Sequence, residues 1–245
     1  MWMELIFIFL ILLVGSFVQG VSGFGFGIIA MSFLPFFFTI KESTLLVVAL
    51  GVLTALFIVI QLFHHIRWKD LIVIMCAAII GRYVASFVLT AYGEMDLLKS
   101  ILGVFLLIVV GYLFWDKPQP EGRSVNQTWL PATLGFFGGL VGGVFAVGGP
   151  FFVFYFMLLF RDDKYAYSAN LQVSFFITNF TTVVIHGVHG DFTQSYLIYL
   201  LVGLLSVFIG TRLGVYCFTY LSQKNIRRLA GIVVAIAALS LVFFS

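Results

Sequence analysis

"GGLVGGVFAVGGPFF", residues 138–152, places six glycines and a proline among fifteen otherwise apolar positions. A second cluster, "QGVSGFGFGIIA" at 19–30, adds four more glycines. Glycine inside a helix costs about 1 kcal/mol relative to alanine, and proline about 3. Two such clusters mean that the backbone breaks there for a reason. The rest of the chain fixes the solvent: 62% of its 245 residues are hydrophobic and 9% charged, with a mean hydropathy of +1.15. A soluble domain carries about 25% charge, so a water-soluble fold is excluded. The net charge of +3 is too small and too scattered for nucleic acid.

Polar breaks divide the chain into ten apolar elements: 5–20, 24–40, 43–63, 70–91 and 97–115, then 130–144, 146–160, 165–187, 195–220 and 226–244. The first of these lacks the basic n-region of a signal peptide and is read as a retained membrane element. Cys76 and Cys217 fall inside apolar segments and are expected as core residues without a disulfide. Spanning helices need about 20 residues, so the first two elements of each half are expected to be short. The halves resemble each other: "GVSG" at 20–23 aligns with "GLVG" at 139–142, and Gly81/Ala85 with Gly210/Gly214. The expected organisation is a first repeat over 1–115, a cytoplasmic linker over 116–129 and a second repeat over 130–245.

Loop charges orient the repeats. With five elements per half, one side receives Arg67, Lys69, Lys117, Arg123, Arg161, Lys164, Lys224, Arg227 and Arg228, and the other only Lys41 and Lys99. The cytoplasmic side takes the excess of Lys and Arg. Both termini are then expected outside an inner membrane. An odd count also makes the second repeat inverted relative to the first, a transporter architecture. The predicted fold is therefore an all-α integral membrane protein of two inverted repeats.

Neither glycine cluster carries a charge, so neither reads as a surface loop. The pattern predicts two re-entrant hairpins whose tips meet near the midplane, since irregular backbone at membrane depth survives only where protein buries it or it lines a cavity. Pro150 suits the first turn of a helix, and helix N-termini aimed at the tips bind anions. Close helix packing through small residues is the alternative, and it is the preferred reading for Gly81/Ala85 and Gly210/Gly214. The paired "GxxG…GFG" and "GxxGGxFxxGGP" clusters, each opening one half, resemble the TauE/SafE family of sulfite and organosulfonate exporters. The resemblance covers nearly the whole chain and implies export of small sulfur oxyanions or related organic anions.

Arg82 and Arg212 lie inside predicted spans. Arg82 is thirteen residues from Lys69, roughly 20 Å along a helix and far from the headgroups; Arg212 is close enough to an end to snorkel. Within 165–187, Ser174, Thr178, Thr181 and Thr182 share a helical face, and Asn179 lies deep in the span. The expected anion site comprises Gln19, Ser22, Gly23, Gly25, Gly27, Arg82, Gly143, Gly148, Gly149, Pro150, Asn179 and Arg212. Apart from Asp70 at the first position of 70–91, no Asp or Glu falls inside a predicted span, which leaves His186 as the residue for proton coupling. A channel without coupling is the rival to a secondary exporter, and no nucleophile–base pair supports an enzyme. A small anion and the lipid bilayer are the expected partners, with a proton as coupling ion and self-association left open. No metal or cofactor is expected.

Overall fold

The computed structural model describes residues 2–114, 128–160, 163–192 and 196–217, together with Ala235, Ala238, Leu239, Leu241 and Val242. The linker expected over 116–129, the loop cations at 117, 123, 161, 224, 227 and 228, and most of the tenth element at 226–244 lie outside the described residues. Nine α-helices are described: α1 (Trp2–Ser22), α2 (Phe26–Phe33), α3 (Ile40–Leu62), α4 (Trp68–Tyr92), α5 (Asp96–Phe114), α6 (Trp129–Phe145), α7 (Gly149–Leu159), α8 (Lys164–Val188) and α9 (Tyr196–Cys217). Among the described residues there is no strand. Five helices, α1, α3, α4, α8 and α9, are long and apolar enough to cross a membrane.

Local chemistry sets the ends. Thr39 caps α3 by accepting from the Glu42 amide at 3.1 Å, while the Glu42 carboxylate accepts from the Thr39 amide at 3.0 Å, a reciprocal box that satisfies two orphan donors. Ile40 thus opens α3 rather than closing the preceding element, which Pro35 has already turned into a single 3-10 turn. Asp163 caps α8 through the Ala166 amide at 2.9 Å. The chain breaks after α1 at Gly23 (φ 80°) and Gly25 (φ 115°), and after α6 at Ala146 (φ 55°), all left-handed. A side chain disfavours that region, which is why glycine holds the first turn. α2, α6 and α7 are short, as expected, but α1 is not: its 21 residues run through Gly20 because that glycine packs on α9 instead of ending the helix.

Three pairings carry the packing: α1 along α9, α4 along α6, and α3 along α8. The first helix of each half therefore lies against the fourth of the other, and the two third helices lie against each other. α1 and α9 run in the same direction, from Glu4 beside Tyr199 to Gly20 beside Gly214. α6 and α4 do likewise, from Gly135 beside Ile74 to Gly143 beside Ala85. Ala238, Leu241 and Val242 of the tenth element lie against Gly103 of α5. Small residues allow these approaches: a Cβ on Gly210 would run into Ser16 Oγ and the Leu13 carbonyl, and one on Gly81 into the Phe136 carbonyl. The packing reading of those glycines holds.

Polarity is inside out. Ile72, Ile80, Tyr83 and Phe87 of α4 and Leu197, Leu201 and Leu205 of α9 are exposed, whereas Gln19, Arg82, Gln172, Thr178 and His186 are buried. Lipid is the solvent for such a surface. Cys76, expected in the core, is exposed on α4, and both cysteines are free. Charge sorts to the two ends. One carries Arg67, which pairs with Asp163 at 3.5 Å and donates its amide to Asn170. The other carries Lys41, paired with Asp191 at 2.7 Å and donating its amide to the Gly93 carbonyl.

Candidate functional site

The two glycine breaks touch. Gly27, in the first turn of α2, lies so close to the Ala146 carbonyl at the end of α6 that a Cβ would collide with it. Thr44 of α3 braces the second break by donating to the Val144 carbonyl at 2.8 Å. Between the breaks lies a cavity of about 30 Å³, room for a water or two. Gly25, Gly27 and Ile28 from the start of α2 line it, as do Val147, Gly148 and Gly149 at the start of α7. The first-turn amides of a helix have no partner within it and carry its positive pole, so two such poles converge here. Phe26, Val47, Val48, Phe152 and Phe175 add an apolar wall, and Gln19 and Asn179 a polar edge. Gly51 and Phe175 on that wall are each the twelfth residue of their helices, about 17 Å from the nearer end.

Arg82 completes the cavity. It is 3% exposed and reaches it from the fifteenth position of α4. One terminal nitrogen donates to the Gly142 carbonyl at 2.7 Å and to Thr182 Oγ1 at 3.0 Å. The other donates to Thr178 Oγ1 at 3.2 Å and Asn179 Oδ1 at 3.0 Å. Thr178 and Thr182 give their own protons back to carbonyls one turn earlier, which leaves their lone pairs facing the guanidinium. Every partner is neutral. Among the described residues no carboxylate lies within salt-bridge distance, and the Nε–H, though buried, bonds nothing. A buried charge ordinarily has a counter-ion, so the cavity is electropositive and short of an anion.

Comparison with known proteins decides the family. The family model described as sulfite exporter TauE/SafE matches residues 7–241. The chain belongs to the TauE/SafE family. It is a multi-pass membrane protein of a transporter family, not of an enzyme family. No curated protein and no solved structure matches the chain.

In this TauE/SafE chain the cavity gathers Gln19, Gly25, Gly27, Arg82, Gly148, Gly149 and Asn179 of the residues predicted from sequence. Gln19 donates to Gln172 Oε1 at 3.1 Å, and Gln172 Nε2 donates to the Gly23 carbonyl at 2.7 Å, so α8 pins the first break. Ser22 is spent within that break, its hydroxyl 2.8 Å from the Val18 carbonyl and 2.6 Å from that of Phe24. Gly143 lets α6 approach Ala85 and the Arg82 stem. Pro150 occupies the first turn of α7, as expected, but faces an apolar groove with Phe105 and Phe154. Arg212 does not reach the cavity; it is exposed on α9 over the Phe208 ring, at 5.5 Å. Sequence reasoning missed Gly142 and Gly51, where a Cβ would stand 2.8 Å from Arg82 Nη2 and 2.6 Å from Asn179 Nδ2. Their signal is weak, since glycine is common in membrane helices.

Proposed function

We propose that the chain is a secondary exporter of a small anion, such as sulfite, an organosulfonate or a related sulfur oxyanion, bound in the Arg82 cavity. The observation that carries this is the buried guanidinium with a free Nε–H, no carboxylate partner, and two helix N-termini beside it. Gln19, Gly25, Gly27, Gly148, Gly149 and Asn179 line the substrate's place, and Gln172, Thr178 and Thr182 position it. Ser22, Gly23, Gly143 and Pro150 shape the breaks. Arg212 has no part in binding. The cavity of about 30 Å³ is tight, and loading is expected to part the tips or the Phe152 and Phe175 rings. Calorimetric titration of the purified protein with sulfite, thiosulfate, sulfate, methanesulfonate and acetate tests the reading. At least one sulfur oxyanion is expected to bind more tightly than acetate. No binding of any of the five sinks it.

The reading includes two inverted repeats, with α1–α2 and α6–α7 as re-entrant hairpins. Its support is the reciprocal pairing of first with fourth helices across the halves. The position aligned with Arg82 in the second half is Thr211, buried with its hydroxyl unbonded, so the repeats supply one guanidinium between them. The end bearing Arg67, Lys69 and Lys164 faces the cytoplasm of an inner membrane, and the end bearing Lys41 faces out. Cysteines at Lys69 and Glu94, introduced singly into a chain without Cys76 and Cys217, are expected to react with an impermeant thiol reagent from opposite faces, Lys69 only from the cytoplasm. Labelling of both from one face contradicts this topology.

A further inference from the structure

Away from the cavity, α8 holds a second buried polar group. His186 lies one turn, about 6 Å, beyond Thr182 and is 1% exposed. Its Nδ1 is 2.7 Å from one oxygen of Asp191, whose other oxygen accepts from Lys41 Nζ at 2.7 Å. The Asp191 amide donates to the His186 carbonyl at 3.1 Å. One carboxylate thus ties the first turn of α3 to the end of α8. Beside it lies a cavity of about 270 Å³ lined by Lys41, Glu42, Glu94, Asp191, Tyr196 and Tyr199.

The partner of Nδ1 fixes the proton. A carboxylate accepts, so Nδ1 carries the hydrogen, and Nε2 is left as a bare lone pair, buried and bonded to nothing. Burial alone would raise the Asp191 carboxyl, but the hydrogen bonds and charges of Lys41 and His186 outweigh it and hold it below its ordinary value. Asp191 is therefore held ionised beside the ring. The other facing groups are Glu42, turned to Thr39 in its capping box; Glu94 on the turn after α4; the unbonded Tyr196 hydroxyl; and Tyr199, which donates to Glu4 at 3.4 Å. With His186 neutral, Lys41 and Asp191 balance. A proton on Nε2 sets two cations on one carboxylate and creates an N–H with no acceptor, a cost relieved if Lys41 parts from Asp191 toward the cavity and water enters.

We propose that His186 is the protein's proton-binding residue, and that a proton taken at Nε2 opens the Lys41–Asp191 latch between α3 and α8. α8 also presents Thr178, Asn179 and Thr182 to Arg82. The latch and the anion cavity therefore share one helix, and this link to transport rests on the anion reading above. Hydrogen–deuterium exchange of the full chain in lipid, read over residues 40–46 and corrected for intrinsic exchange, tests the latch without any anion. Protection is expected to fall at least tenfold between pH 8 and pH 5, and to stay level in His186→Gln, whose amide keeps a bond to Asp191 but does not titrate. Should that variant fail to fold, Lys41→Gln is expected to lose the protection at pH 8 as well. Equal falls in native and His186→Gln protein, no fall in either, or full protection in Lys41→Gln overturns the latch. The anion titration would stand untouched by that result, and its own failure would leave the latch standing.

Discussion

Gly149→Val is expected to abolish anion binding, a loss of a hundredfold or more, while the protein still inserts and purifies as a single species. Gly149 is the first residue of α7, and its backbone is not in the left-handed region. A Cβ there meets only the Phe175 ring, at 3.5 Å, and no backbone atom. The fold has room for the substitution; the cavity of about 30 Å³ does not. The added methyl groups stand where the first-turn amides of α7 must be approached. Gly210→Val is the control with the opposite outcome. Its Cβ enters Ser16 Oγ and the Leu13 carbonyl, so α1 and α9 cannot close and assembly fails before binding is measured. Titration calorimetry beside size-exclusion chromatography separates the two. Normal affinity in Gly149→Val shows that the second break is packing and not a site.

Arg82→Gln is expected to lose ten- to a hundredfold in affinity, the about 1.5–3 kcal/mol of a hydrogen bond to a charged group. The variant also melts lower, because Gly142, Thr178, Thr182 and Asn179 lose their donor. Stability alone is therefore no test, and the affinity has to be read on the folded fraction. Arg82→Lys keeps the charge but not the fork, and it is expected to fall between the native chain and Arg82→Gln. Thr182→Val removes one bond to the guanidinium and leaves its charge and Nε–H in place. It should lower the melting temperature with little change in affinity. Unchanged affinity in Arg82→Gln, with a lowered melting temperature, makes Arg82 a structural tie between α4, α6 and α8 and nothing more.

The membrane class, most helix bounds to within about two residues and the meeting of the two breaks were legible in the sequence, because each rests on local physics. An uncharged glycine cluster has no place on a membrane surface, and Arg82 is too deep to snorkel. What the sequence hid was partnership. Ser174, Thr178, Thr181 and Thr182 read as one polar face, but that two of them hold Arg82 depends on α4 and α8 lying together. Gln172 sits on the same helix with nothing local to say that it locks Gln19 and Gly23. Arg212 was misread although its helix phase was available. Gly210 and Gly214 face α1, and a residue two positions after Gly210 is turned about 200° around the helix, toward lipid. The last two residues of α1 were hidden for a similar reason, because Gly20 packs against Gly214 and the helix runs on to Ser22.

The most direct measurement is the position of a bound anion. Crystals of the full chain grown with selenite, a heavier analogue of sulfite, and measured at the selenium edge would place it by anomalous scattering. A peak is expected within hydrogen-bond reach of Arg82 Nε and of first-turn amides of both α2 and α7, with the cavity widened around it. A peak only beside Lys41 in the outer cavity, or at a surface lysine with the Arg82 cavity unchanged, would contradict it.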